Sequence, residues 1–195
     1  MIRKIFSLFG YTLSRPHKSV SLDEIIKLRL KYLPADILLD VGANKGTFTE
    51  YFKNQFKLYY LFEPNPNLVK YLKNNFKKNN YKILDFGTGK ANERIMLNIT
   101  NDSGSSLSSI KEQTAELSKN FRNKNITDKV EVEIKRLDYY LKNIGIKDKK
   151  IFLKIDTQGN DLETLIGLGS YIENVIFIKI EMPCINLYKS SYNHW

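Results

Sequence analysis

The sequence predicts a doubly wound α/β fold built on a mostly parallel sheet. Strand-like and helix-like segments alternate through most of its 195 residues. The strands read as continuous apolar runs, as expected of strands covered on both faces. Several of them end on an acid or a glycine at the point where the chain turns toward the next helix. Alternation of this kind implies parallel pairing through right-handed crossovers, with ligands bound beyond the carboxyl ends of the strands at the topological switch point.

Taken in order, Ala35 to Val41 (ADILLDV) is an apolar run between Pro34 and Gly42 and predicts the first strand. A helix follows from Gly46 to Asn54. Lys57 to Phe62 (KLYYLF) predicts a second strand, and Pro64 to Phe76 places Leu68, Val69, Leu72 and Phe76 at helical spacing, with a proline tolerated in the first turn. Tyr81 to Phe86 predicts a third strand. Arg94 to Thr100 and Lys129 to Lys135 (KVEVEIK) alternate apolar and polar residues, which marks a half-exposed pair inserted antiparallel. Between them Ile110 to Phe121 reads as helix. A short helix over Leu137 to Lys142, a strand over Lys150 to Asp156 (KIFLKID), a helix over Asp161 to Leu168 and a strand over Val175 to Glu181 (VIFIKIE) complete the pattern.

Residues 1–34 are expected to form an N-terminal helical segment and residues 35–195 a single domain. The opening MIRKIFSLFGYTLSRPHK carries apolar Ile2, Ile5, Phe6, Leu8 and Phe9, interrupted by Lys4, Ser7 and Gly10. It falls short of a signal-peptide core and of a membrane span, so no transmembrane segment is expected. A short amphipathic helix fits better, either covering one face of the domain or making a weak, charge-assisted contact with a membrane surface.

Composition narrows the function classes. A hydrophobic content of 42% excludes disorder, collagen and a coiled coil. The lone Cys184 cannot form an internal disulfide, which fits a reducing compartment, with the cytoplasm expected, and excludes a multi-cysteine metal site. The 31 basic against 21 acidic residues give a net charge of +10, yet 25 of the basic residues are Lys, and Asn occurs 19 times. Such a bias is what an AT-rich genome produces, and Lys is the poorer bidentate reader of bases and phosphates. No specific nucleic-acid partner follows from the charge.

The first strand exit, Asp40-Val41-Gly42-Ala43-Asn44-Lys45-Gly46, joins strand to helix through residues that tolerate positive φ and let backbone approach a ligand closely. Glu63 ends the second strand, at the offset where an acid accepts hydrogen bonds from both ribose hydroxyls of an adenosine cofactor. The spacing of Gly42 and Gly46 does not match the G-x-G-x-x-G of dinucleotide sites. S-adenosylmethionine has no pyrophosphate to seat on a helix N-terminus, and the loop favours it over NAD.

The chain resembles the FkbM-type methyltransferases. The resemblance is carried by DVGANKG (Asp40 to Gly46), FEPNP (Phe62 to Pro66), GSSL (Gly104 to Leu107), RLDYYL (Arg136 to Leu141), LKIDTQGNDLETLIG (Leu153 to Gly167) and IKIE (Ile178 to Glu181), in the family's order from about Ile37 to Tyr188. It implies a class I, Rossmann-like methyltransferase fold. It further implies transfer of a methyl group from S-adenosyl-L-methionine to a hydroxyl of a sugar, glycan or secondary metabolite.

By that resemblance Asp40, Gly42, Asn44 and Gly46 hold the methionine end of the cofactor and Glu63 its ribose. Asp138 either approaches the adenine or serves as a helix N-cap. The stretch Ser103 to Ser109 is either a lid or a turn, and Lys154 has no assigned role. Asp156 is the catalytic candidate: Asn160 with Glu163 reads as a capping box for the next helix, which leaves Asp156 free to act as general base. Glu181 ends the neighbouring strand and is the second catalytic candidate. Both acids have a structural alternative in pairing with Lys154 or Lys179. A divalent cation between them is possible by oxygen ligation but not indicated, and no metal site is assigned.

The 14 residues after Glu181 are too few for the helix and two strands that ordinarily complete a seven-stranded sheet, so the last strands are expected to be missing. Two other function classes stay open on this ground and on the charge: a cofactor-binding or interaction protein without activity, and a nucleic-acid methyltransferase. The sequence is silent on oligomeric state.

Overall fold

The computed structural model describes residues 20–100 and 126–180. The chain divides after Tyr32 into two compact units. In the first, helix α1 (Leu22–Tyr32) is opened by a reciprocal cap: the Glu24 amide donates to Ser21 Oγ at 3.1 Å and the Ser21 amide to Glu24 Oε2 at 2.8 Å.

The second unit holds, in order, β1 (Ile37–Val41), α2 (Thr47–Tyr51), β2 (Leu58–Phe62), α3 (Pro66–Asn75), β3 (Tyr81–Leu84), β4 (Gly87–Thr88), β5 (Glu93–Thr100), β6 (Ile126–Lys135), α4 (Leu137–Asn143), β7 (Ile151–Ile155), α5 (Asp161–Leu168), a 3-10 turn (Gly169–Asn174) and β8 (Val175–Ile180). Strands β3, β2, β1, β7 and β8 form, in that order, a five-stranded sheet in which all pairings are parallel. Chain growth runs from β1 outward through β2 and β3, then returns to the other side of β1 with β7 and β8. The switch point therefore lies between β1 and β7. This is the predicted doubly wound fold.

Every residue of β1 and β7 is buried, which is why both read as unbroken apolar runs. Ile37, Leu39 and Val41 of β1 and Ile151, Leu153 and Ile155 of β7 pack with Leu137 and Leu141 of α4 and Leu168 of α5. On the opposite face Phe152 lies against Phe48 and Phe52, and the Asp40 side chain meets Thr49 of α2. Side chains thus alternate between two helical layers, and two charged residues, Asp40 and Lys154, are carried inside the α2 layer.

The predicted antiparallel pair is β5 with β6, in register from Glu93 opposite Ile134 to Asn98 opposite Lys129. Together with β4 it forms a separate three-stranded sheet of order β4-β6-β5. The expected third strand over Tyr81 to Phe86 is shorter, ending at Leu84, and the chain then leaves the main sheet as β4. There the Thr88 carbonyl accepts from Asn160 Nδ2 at 2.8 Å, and the Thr88 and Thr164 hydroxyls lie 2.7 Å apart. Those bonds draw β4 toward α5 and away from β2. The helices expected over Gly46 to Asn54 and Pro64 to Phe76 are also shorter. Asn65 caps the second of them by accepting from the Asn67 amide at 3.0 Å. The expected helix over Ile110 to Phe121 lies outside the described residues.

Candidate active site

The exits of β1, β2 and β7 converge on one cavity, together with Thr88 of β4. It encloses about 610 Å³ of atom-free space, part of it open to solvent. Gly42, Asn44, Glu63, Asp156 and Gln158 line it, with Phe62 and Leu97 supplying apolar wall.

The β1 loop has an unusual backbone. Gly42, Asn44 and Gly46 all have positive φ, at 70°, 54° and 73°. At Gly42 a Cβ atom would lie 1.9 Å from the Asp156 carbonyl oxygen, so the two strand exits touch backbone to backbone there and only glycine fits. The Gly42 and Ala43 amides donate to the Phe62 carbonyl at 3.0 and 3.1 Å, and the Asp156 amide donates to the Val41 carbonyl at 3.0 Å.

Glu63 ends β2 almost wholly buried at the cavity wall. Its Oε2 accepts from the Asn44 amide at 2.8 Å and its Oε1 from the Asn65 amide at 2.9 Å. A carboxylate offers about four lone-pair sites, so two donors leave it able to accept two more hydrogen bonds. Burial raises its pKa from 4.5 to about 7, against the opposing pull of the Asn65 and Asn44 amides and the Lys154 charge.

Asp156 stands at the exit of β7 with its side chain 34% exposed. Its Oδ1 accepts from Gln158 Nε2 at 2.6 Å, and its Oδ2 is 3.8 Å from Lys154 Nζ. Gln158 itself holds a positive φ of 55°. That turn is fastened by Asp161, whose carboxylate accepts from the Thr157 amide, the Thr157 hydroxyl and the Gly159 amide at 2.9 to 3.2 Å. Asp156 and Glu63 thus face one cavity from loops on either side of the β1 exit, each carboxylate oriented by at least one hydrogen bond from its surroundings.

The family profile of the methyltransferase FkbM domain matches residues 40–190. The chain belongs to the FkbM methyltransferase family. Among solved structures it is similar to a crystal structure of methyltransferase FkbM from Methylobacillus flagellatus KT, at 16% identity and a TM-score of 0.43; the alignment covers 69% of this chain. The chain spans 29% of the length of that structure. A comparison with curated proteins finds no match.

Within the matched domain, Gly42, Asn44, Glu63 and Asp156 line the cavity, and Gly46 closes the same loop by donating its amide to the Ala43 carbonyl at 2.8 Å. Asp40 does not face the cavity. Its carboxylate is fully buried in the sheet, where Oδ2 accepts from Thr49 Oγ1 at 2.7 Å and Oδ1 lies 3.1 Å from Lys154 Nζ. The strand alternation that buries Leu38 beside it turns Asp40 toward α2.

Asp138 is likewise not an N-cap. Arg136 occupies that position, and Asp138 sits within the first turn of α4. It receives Arg136 Nε at 3.0 Å and Nη2 at 2.5 Å, and this guanidinium holds its carboxyl below the usual range. It does not line the cavity. The capping box of Asn160 and Glu163 is also absent: the Asn160 side chain makes no cap bond to its own helix but donates to the Thr88 carbonyl, and Asp161 fastens the turn instead. Asp156 is therefore free of capping for a different reason from the one its sequence context suggests. Glu181 and Ser103 to Ser109 lie outside the described residues. Among the described residues no group of three His, Cys, Asp or Glu side chains is gathered as a metal ion would require, and no helix is long and apolar enough to cross a membrane.

Lys154 is the site residue that sequence reasoning left unassigned. The available signal was alignment of the two strand exits: Asp40 precedes Gly42 by two residues as Lys154 precedes Asp156, so in parallel register opposite charges face each other inside two apolar runs.

Proposed function

We propose that this domain transfers a methyl group from S-adenosyl-L-methionine to a hydroxyl oxygen of a small-molecule or glycan acceptor in the cytoplasm. The reading rests above all on Glu63, a buried carboxylate at the cavity wall that holds the glycine loop through the Asn44 amide and still has lone pairs to offer. Those lone pairs suit the two ribose hydroxyls. The loop from Gly42 to Gly46 then lies beside the amino-acid end of the cofactor.

Electrostatics favour a cationic ligand over a pyrophosphate. Lys154 is paired with Asp40, which leaves Asp156 and Glu63 as the acids facing the cavity. A sulfonium is attracted to such a wall, whereas a dinucleotide phosphate is repelled by it.

When bound, the cofactor supplies a methyl group activated by its sulfonium. Asp156 would accept the proton that the acceptor hydroxyl gives up on methylation and pass it to solvent. Glu181, at the end of the adjacent strand in sequence, is proposed as the second acid of this step. Most of the acceleration comes from holding the reacting atoms at near-attack distance within the cavity.

Calorimetric titration with S-adenosylmethionine and NAD in parallel tests the reading. Saturable binding of S-adenosylmethionine is expected, and binding of NAD alone overturns it.

A further inference from the structure

We propose that Lys154 is a positioning residue of the cofactor site, whose ammonium fixes the first loop and the Asp156 carboxylate at one spacing. The inference rests on the reading of this cavity as an S-adenosylmethionine site.

Lys154 projects from β7 directly opposite Asp40 of β1, with its side chain 10% exposed. A lone ammonium so buried is costly unless it is compensated. Four oxygens surround it: the Gly42 carbonyl at 2.7 Å, Asp40 Oδ1 at 3.1 Å, the Val41 carbonyl at 3.3 Å and Asp156 Oδ2 at 3.8 Å. Burial works against its charge, and Asp40 and Asp156 outweigh burial and hold its pKa above the ordinary value.

Neutralising Asp40 needs only one of these contacts. The remaining three belong to the two chain exits that form the cavity, one carrying the positive-φ glycine and the other the candidate base. The other charged groups around it are Glu63 at the end of β2 and Lys179, its register partner in β8, whose Nζ sits over the Phe48 ring at 4.8 Å. Lys179 is directed to the aromatic layer. Lys154 is the cation bonded to the Gly42 carbonyl, on the loop whose Asn44 amide Glu63 holds.

A purely structural ion pair is replaceable by neutral residues of similar volume with little loss. A positioning role is not, because the neutral replacement no longer binds the loop carbonyls. The full chain carrying Asp40→Asn, Lys154→Met or both separates the two cases. Each variant is measured by urea unfolding, by calorimetry with S-adenosylmethionine, and by amide hydrogen exchange without ligand.

The double variant is expected to regain most of the stability lost in Lys154→Met. It should still bind S-adenosylmethionine about tenfold more weakly than the unaltered protein, and exchange its Gly42, Ala43 and Asn44 amides about tenfold faster, the size of one charge-assisted hydrogen bond. Asp40→Asn, which keeps the ammonium on the Gly42 carbonyl, should bind within about threefold of the unaltered protein. A folded double variant with unaltered affinity and loop exchange overturns the inference, even where Lys154→Met alone fails to fold. Failure of the unaltered protein to bind S-adenosylmethionine overturns the cofactor reading instead, and the exchange rates still decide whether Lys154 holds the loop.

Discussion

Lys154 and Asp40, 114 positions apart in the chain, meet as direct register partners across β7 and β1, with Nζ 3.1 Å from Oδ1. The Asp40 carboxylate is fully buried and its other oxygen is held by Thr49. This pair sits immediately beneath the cavity, where Lys154 Nζ also reaches the Gly42 carbonyl at 2.7 Å.

Removal of one partner leaves an uncompensated buried charge. Lys154→Met is expected to lower unfolding free energy by about 3–5 kcal/mol, and Thr49→Val, which removes one hydrogen bond to the same carboxylate, by about 1–3 kcal/mol. Chemical denaturation of the two variants beside the unaltered protein checks the order. A Thr49→Val effect larger than that of Lys154→Met would contradict it.

Two glycines with nearly equal φ should respond differently to alanine. Gly42 at 70° has the Asp156 carbonyl 1.9 Å from its would-be Cβ, whereas Gly145 at 67° has nothing within 4 Å. Gly145→Ala therefore carries only the local conformational cost of about 1 kcal/mol, while Gly42→Ala must also part the β1 and β7 exits and is expected to exceed about 3 kcal/mol. Thermal unfolding of the pair decides; equal shifts in Tm would count against the close approach.

The pH dependence of stability should carry the signature of Glu63. Its folded pKa of about 7 lies above the ordinary 4.5, so the folded protein binds this proton more tightly than the unfolded chain does. The resulting stabilisation is fully present below about pH 4.5 and is lost as pH rises through 7, a change of about 3 kcal/mol. Urea unfolding across pH 4 to 8 should show this decline in the unaltered protein, and the same slope persisting in Glu63→Gln would assign it to another group.

The same ionisation should govern the cofactor, because ribose hydroxyls donate to a carboxylate more strongly than to a carboxyl group. Affinity for S-adenosylmethionine is expected to rise between pH 6 and 8 and to fall by at least about tenfold in Glu63→Ala. Calorimetry at several pH values measures both, and a pH-independent affinity would remove Glu63 from the site.

Asp156→Ala separates binding from chemistry. It is expected to keep S-adenosylmethionine affinity within about threefold while lowering turnover by about 100-fold or more, the usual contribution of a general base. Transfer of a labelled methyl group to hydroxyl-bearing acceptors provides the measurement. Turnover retained in the variant would move the base elsewhere.

The sequence by itself determined the strands of the central sheet, because residues buried on both faces must be apolar throughout and β1 and β7 have little freedom to be anything else. It also determined which exits matter, since Gly42 and Asn44 at positive φ and an acid after β2 are local features that a linear reading can see. Local spacing could not say where a side chain points or what meets it from a distant segment. Asp40 looked like a cofactor ligand and turned out to face α2, because strand alternation fixes its side opposite to the helices that cover Leu39 and Val41. Asn160 and Asp138 had the right neighbours for capping, yet Thr88 and Arg136 bind them more directly. Lys154 is intelligible only with β7 beside β1, because a buried charge takes its meaning from the oxygens around it, and three of the four come from residues more than a hundred positions away.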